Sequence, residues 1–141
     1  MPTEVVIDSS VIASLVTPEE HSDWSVKKVS EHDYFHILDL SYYEVANALR
    51  YKISGKKFSG KDAVRAFTEA VRLMNLYSIH SFSEVAADAI ALALELDITV
   101  YDAAFLSLAD KLNVRMLTLD VKLARMIKEA KYHNLIEHPG K

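Results

Sequence analysis

Glu4 to Val16 reads EVVIDSSVIASLV. A short apolar run stops at a carboxylate, Asp8, and apolar residues at helical spacing begin directly after it. A continuous apolar run of this kind suits a strand buried on both faces, as in parallel sheets. A strand that feeds straight into a helix is the first half of a crossover unit.

The same pattern repeats outward along the chain. Tyr34 to Leu38 is predicted as a second strand, again ending at a carboxylate, Asp39. Leu76 to Ile79 and Arg115 to Thr118 are further strands, and Asn134 to Ile136 a last edge strand. Thr17-Pro18-Glu19-Glu20 opens a helix, with proline in its first turn. Ser41 to Ile53 is helical, with Tyr42, Val45, Leu49 and Ile53 on one stripe, and Ser54-Gly55 stops it. Lys61 to Asn75, Ser83 to Leu96, Tyr101 to Leu112 and Asp120 to Glu129 complete the helices. Alternation of this kind predicts an α/β fold. Its core is a mainly parallel sheet of four or five strands flanked by about seven helices. The 141 residues fit a single domain, 1–141.

Composition agrees. Half the residues are hydrophobic and 26% are charged, enough for a proper core. Three glycines and three prolines are too few for the turn density of an all-β sandwich. With no cysteine, disulfides and thiolate metal sites are excluded. The N-terminal segment lacks the basic-then-apolar order of a signal peptide. No apolar run reaches the roughly 18 residues that span a bilayer. A soluble, cytoplasmic protein without membrane contact is the expectation.

The residues after the first strand exclude several α/β chemistries. Glycines stand only at 55, 60 and 140, so neither a phosphate-binding P-loop nor a dinucleotide fingerprint is present. Ser10 stands where an aspartyl-nucleophile phosphatase would carry a second aspartate. There is no Gly-x-Ser-x-Gly elbow. The six histidines (21, 32, 36, 80, 133, 138) show no paired ligand spacing and read as surface or satisfied residues.

Carboxylates carry the chemistry that remains. Asp8 and Asp120 follow strands, where ligands of open α/β sheets bind. Glu44 and Asp102 fall in the first turns of helices. Taken singly, each has a plain structural role: Asp8 and Asp120 as N-caps, Ser41-x-x-Glu44 and Thr99-x-x-Asp102 as capping boxes. Taken together, all four sit at helix N-termini on one edge of a parallel sheet, where positive dipole ends favour ionised acids. Four clustered carboxylates repel and call for a cation. An all-oxygen set suits Mg²⁺ or Mn²⁺ better than Zn²⁺. Both interpretations stand at this level.

The formal net charge is -4, contrary to the basic footprint of most nucleic-acid binders. Between positions 50 and 72, however, Arg50, Lys52, Lys56, Lys57, Lys61, Arg65 and Arg72 face only Asp62 and Glu69. That segment is either a solvated helix face or a phosphate-binding rim.

Four segments, in order and spacing, resemble PIN-domain proteins and above all VapC-type toxin nucleases: VVIDSSVIASL, LDLSYYEVANALRY, DITVYDAAFLSLADKL and RMLTLDVKLAR. The resemblance covers nearly the whole chain and implies a PIN-like three-layer sandwich. It implies that Asp8, Glu44, Asp102 and Asp120 form an acidic set holding Mg²⁺ or Mn²⁺, with Ser10 and Thr118 as supporting residues. It also implies metal-assisted endonucleolytic cleavage of RNA, leaving a 5′-phosphate and a 3′-hydroxyl. Arg50, Lys52, Lys56, Lys57 and Lys61 are then candidates for holding the RNA backbone. Asp39 departs from the uncharged residue common in relatives and is left unassigned. The implied partners are an RNA substrate and a small antitoxin whose arginine reaches the acids, with a homodimer or a dimer of toxin–antitoxin pairs as the assembly. Trp24, Tyr42, Tyr43 and Tyr51 could serve an interface or the core. Two alternatives remain: a non-toxin PIN nuclease of RNA processing or DNA repair, and a catalytically inactive PIN binding module.

Overall fold

A computed structural model describes residues 2–53 and 58–140 of the chain. Lys56 and Lys57 lie outside the described residues.

The strands are β1 (Glu4–Ile7), β2 (Tyr34–Leu38), β3 (Ser78–His80), β4 (Arg115–Leu117) and β5 (Ile136–Glu137). The helices are α1 (Ser9–Val16), α2 (Ser22–Ser30), α3 (Leu40–Lys52), α4 (Gly60–Met74), α5 (Ala86–Leu96), α6 (Val100–Leu112), α7 (Val121–Met126) and α8 (Ala130–His133). The strands form one sheet in the order β3-β2-β1-β4-β5, and every adjacent pair is parallel.

Strand alternation divides the core into two. Val5, Ile7, Ile37 and Leu117 face one side, where Val11, Ile12, Val45, Leu49, Ala70 and Met74 cover them. Val6, Leu38 and Met116 face the other, against α5, α6 and α7. Helix α6 is the most enclosed element, buried without interruption from Ala103 to Ala109. The result is the three-layer α/β arrangement that the sequence predicts.

Element boundaries differ in instructive places. Thr17 is extended before Pro18, as residues preceding proline favour, so the second helix begins only at Ser22. The third strand starts at Ser78, because Leu76 and Tyr77 are still turning off the end of α4 onto the carbonyls of Leu73 and Met74. The predicted helix Asp120–Glu129 ends at Met126, where Ile127 goes extended and enters the core. With so few glycines, α5 and α6 end on Asp97 and Asn113, both left-handed at φ 55°. None of the described helices is long and apolar enough to cross a membrane.

Candidate active site

Strand order reverses between β1 and β4. From β1 the chain moves outward through β2 and β3, then returns to the other side of β1 as β4 and continues to β5. The crevice beyond the carboxyl ends of two such strands is the ligand site of open α/β sheets. Asp8 follows β1 and Thr118 to Asp120 follow β4. The Asp8 N–H donates to the Leu117 carbonyl at 2.9 Å, which ties the two strand ends together.

Hydroxyls hold the acids in place. Thr118 Oγ1 donates to Asp8 Oδ2 at 2.6 Å, and Ser10 Oγ donates to the same oxygen at 2.9 Å. Ser10 Oγ accepts from Leu119 N–H, and Thr118 Oγ1 accepts from Asp120 N–H. Ser9 Oγ donates to Glu44 Oε1 at 2.8 Å, joining α1 to α3. Ser10 and Thr118 thus both stand beside Asp8. Ser9 carries no motif signal of its own, although it is buried and stands in the same Asp-Ser-Ser run.

Capping explains only one of the four acids. Asp8 precedes α1 but makes no side-chain cap bond. The Ser41-x-x-Glu44 box does not form: α3 starts at Leu40, capped by Asp39 Oδ1 on Leu40 N–H, and Ser41 is fully buried. Glu44 is therefore one turn inside the helix. At α6, Thr99 is the cap and accepts from the Asp102 N–H at 3.1 Å. Asp120 does cap, accepting from Leu123 N–H at 2.9 Å through Oδ1. Asp39 is also settled: its Oδ1 accepts from Phe82 N–H as well as Leu40 N–H, joining the start of α3 to the segment after β3.

The four carboxylates feel one another. Burial raises Asp8, hydrogen bonds from Thr118, Ser10 and Ser9 oppose it, and the charge of Asp120 adds to the rise. Burial raises Glu44 to about 7, with Asp8 and Asp102 adding repulsion against the Ser9 hydrogen bond. Burial and the Asp8 charge raise Asp102 to about 6, and Asp120 contributes as well. Among the described residues none of the four is ion-paired. Such a group is short of positive charge. The donor set, all oxygen and without His or Cys, fits a hard divalent cation. As placed, no group of three or more His, Cys, Asp or Glu among the described residues is arranged to hold a metal ion.

The sequence model of the PIN domain matches residues 5–129. The chain belongs to the PIN domain family. It is 40% identical over 121 residues to Ribonuclease VapC3 of Pyrobaculum aerophilum, spanning 86% of this chain and 92% of that protein. Its fold is similar to a toxin–antitoxin complex from Klebsiella pneumoniae, at TM-score 0.70 and 13% identity, covering 97% of this chain and 98% of that one. It is also similar to VapC20 of Mycobacterium tuberculosis, a toxin that cleaves the sarcin–ricin loop, at TM-score 0.63 and 14% identity, over 88% and 97% of the two chains.

Within this PIN domain the described residues of the basic segment stand apart from the acids. Arg50 lies six residues beyond Glu44, roughly 9 Å further along α3 and on another face. It borders a groove between α3 and α4 lined by Leu49, Ala63 and Phe67. Lys52 Nζ is bound to Glu19 Oε2 at 2.6 Å and to the Thr17 hydroxyl. Lys61 is exposed in the first turn of α4. Nearer the acids is a lysine the sequence did not flag. Lys122 lines a cleft of about 240 Å³ together with Thr99, Asp102 and Asp120. The aromatics separate as well: Tyr42 donates to Asn75 Oδ1 at 2.7 Å and packs with Trp24 on the α1–α4 core, whereas Tyr43 is exposed.

Proposed function

We propose that this chain is a divalent-cation-dependent endoribonuclease and the toxin of a VapBC-type pair. The observation that carries the proposal is the gathering of Asp8, Glu44, Asp102 and Asp120 at the switch point, three of them with no capping role. The 40% identity to a protein named as a ribonuclease supports the substrate class.

Asp8, Glu44 and Asp102 would hold the cation, and Asp120 would complete the set from the β4 side. When bound, Mg²⁺ or Mn²⁺ supplies an activated water and neutralises charge on the phosphodiester. Ser9, Ser10 and Thr118 each fix one carboxylate oxygen and so limit how far the acids can recoil. Lys122, without an ion pair among the described residues, is placed to take a backbone phosphate beside Asp102. Arg50, Lys52, Lys56, Lys57 and Lys61 would meet the RNA further from the cut, through charge alone. The same uncompensated acids suit an arginine presented by a small antitoxin. A homodimer, or a dimer of toxin–antitoxin pairs, and a cytoplasmic setting complete the proposal.

Purified protein is incubated with a panel of single-stranded and hairpin RNAs in Mg²⁺, Mn²⁺ or EDTA. Cation-dependent cutting that vanishes in EDTA is expected. No cutting of any RNA, combined with no heat of Mn²⁺ binding, would leave a non-catalytic PIN module instead.

A further inference from the structure

We infer that Lys122, Arg125 and His138 form a phosphate-binding strip that holds the RNA backbone on the β5 side of the acids. The inference rests on the endoribonuclease proposal and assigns the surface along which the strand leaves the cut.

Strand direction places the strip. β4 and β5 are parallel, and the Thr118 N–H donates to the Glu137 carbonyl at 3.1 Å. His138 therefore leaves β5 at the same carboxyl edge at which Asp8 leaves β1 and Asp120 follows β4. From there the chain folds back onto α7. A Cβ on Gly140 would stand 2.5 Å from Val121 Cγ1 and 3.2 Å from His138 Nδ1, so a residue without a side chain lets the two segments close up. Lys122 follows Val121 and lines the cleft with Asp102 and Asp120. Arg125 is three residues further along α7, a spacing that makes helix side chains neighbours.

Positive charge gathers here unpaired. Lys122 and Arg125 are both exposed, and neither is ion-paired among the described residues. Glu137, beside His138 in sequence, is bound to Arg115 at 3.0 Å. His138 Nδ1 is buried with no partner among the described residues. Burial, and then the charges of His133 and Arg125, hold the His138 imidazole below its usual range. An anion would relieve that crowding.

Position names the anion. The inner end of the strip lies in the cleft of Asp102 and Asp120, so its occupant must suit both ends. An RNA backbone does: one phosphate goes to the acids with their cation, and its neighbours along the strand go to the basic side chains. An acidic peptide would meet the carboxylates at the inner end and be repelled. The described residues of the 50–72 segment offer no such continuity, because α3 and α4 cover the opposite face of the sheet from α7.

The first test needs neither cation nor cleavage. Inorganic phosphate, titrated at constant ionic strength in EDTA, should shift the ring-proton resonances of His138 in the full chain, and Arg125→Ala should abolish that shift. The second uses a uridine oligonucleotide of about ten nucleotides in EDTA. Lys122→Ala and Arg125→Ala should each raise its Kd by about tenfold and flatten the slope of log Kd against log salt by about 0.7. With the RNA cleaved best by wild type, Arg125→Ala should raise KM by about tenfold and leave kcat within about twofold, the pattern of a contact made equally before and during reaction. Lys27→Ala, on α2 across the sheet, should match wild type throughout. An unchanged Kd and salt slope in both variants, equal changes in Lys27→Ala, or a His138 ring blind to phosphate would overturn the strip. So would His138 resonances that move with a poly-glutamate peptide and not with RNA, since the occupant would then be an acidic protein. Absence of all RNA cleavage strikes the nuclease proposal, and the phosphate and oligonucleotide titrations still decide the strip.

Discussion

Two arrays of charged side chains cross this sheet, and they are built on opposite terms. Beside β1, β2 and β3, Glu4 Oε1 meets His36 Nε2 at 2.8 Å, His36 Nδ1 meets His80 Nε2 at 3.0 Å, and His80 Nδ1 meets Glu84 Oε2 at 3.2 Å. Every ring nitrogen of the two imidazoles thus has a partner inside the array. Lys111 stands 4.0 Å from Glu84 at the far end, and the His80 hydrogen bond holds the Glu84 carboxyl below its usual range. That array is complete in its partners. The set at the switch point, Asp8, Glu44, Asp102 and Asp120, has hydroxyls and backbone amides for partners and no cation among the described residues. Burying charge without a counter-charge costs stability, so an array of this kind persists for use rather than for folding.

The largest effect should come from removing charge at the incomplete array. Asp8→Asn combined with Asp102→Asn is expected to reduce cation-dependent RNA cleavage to background while the circular dichroism spectrum stays native. A double variant that cuts at the wild-type rate removes these two acids from the site.

Next in size is the response to cations. Mn²⁺ at about a hundred times its Kd should stabilise the folded wild type by about 2.7 kcal/mol, seen as a raised Tm. Glu44→Gln should lose most of that rise. The same titration on a His80→Ala variant should match wild type, because the complete array needs no ion; an equal loss in both would erase the distinction between them.

The pH dependence comes third and has a definite sign. Glu44 is raised from 4.5 to about 7 and Asp102 from 3.8 to about 6. Protonated forms are therefore favoured in the folded state. Their contribution is fully present below about pH 4 and is lost as pH climbs to about 7. After solvent screening of these partly exposed groups, the loss is about 1–2 kcal/mol. Urea melts in EDTA at pH 5 and pH 8 should show this fall, and saturating Mn²⁺ should cancel it. A flat profile in EDTA means that neither burial nor mutual repulsion disfavours the ionised acids.

The smallest effect on cleavage belongs to the complete array. His80→Ala strands the His36 ring nitrogen in a buried position, a cost of about 1–3 kcal/mol in thermal stability. RNA cleavage at saturating Mn²⁺ should be unchanged.

Legibility in the sequence tracks the reach of the forces involved. The strand before Asp8 and the stripe of Tyr42, Val45 and Leu49 are local patterns, and they yielded the layers and the alternation. The four acids could be named from their segments. Their common edge could be argued from a parallel sheet alone. Whether each was a cap could not, because that depends on where a helix starts: a cap two residues earlier, Asp39 rather than Ser41, frees Glu44 from its box. Ser9 escaped notice because its partner Glu44 lies on another helix, and Lys122 because the cleft it lines brings Thr99 and Asp102 from another element. His36 and His80 showed no ligand spacing, since 44 residues separate two rings that adjacent strands bring together. The split of the basic segment had the same origin, as Lys52 turns to Glu19 across 33 positions.

The hydrogen bond from Thr118 to Asp8 joins residues 110 positions apart. It therefore sets a time as well as a place. A chain emerging from the ribosome presents Asp8 and Glu44 long before β4 exists, and non-local strand pairing closes late. Until Arg115 to Leu117 dock beside β1 there is no switch point and no gathered acids. A polypeptide cut short before that strand carries three of the four carboxylates and lacks the Thr118 hydroxyl that fixes Asp8.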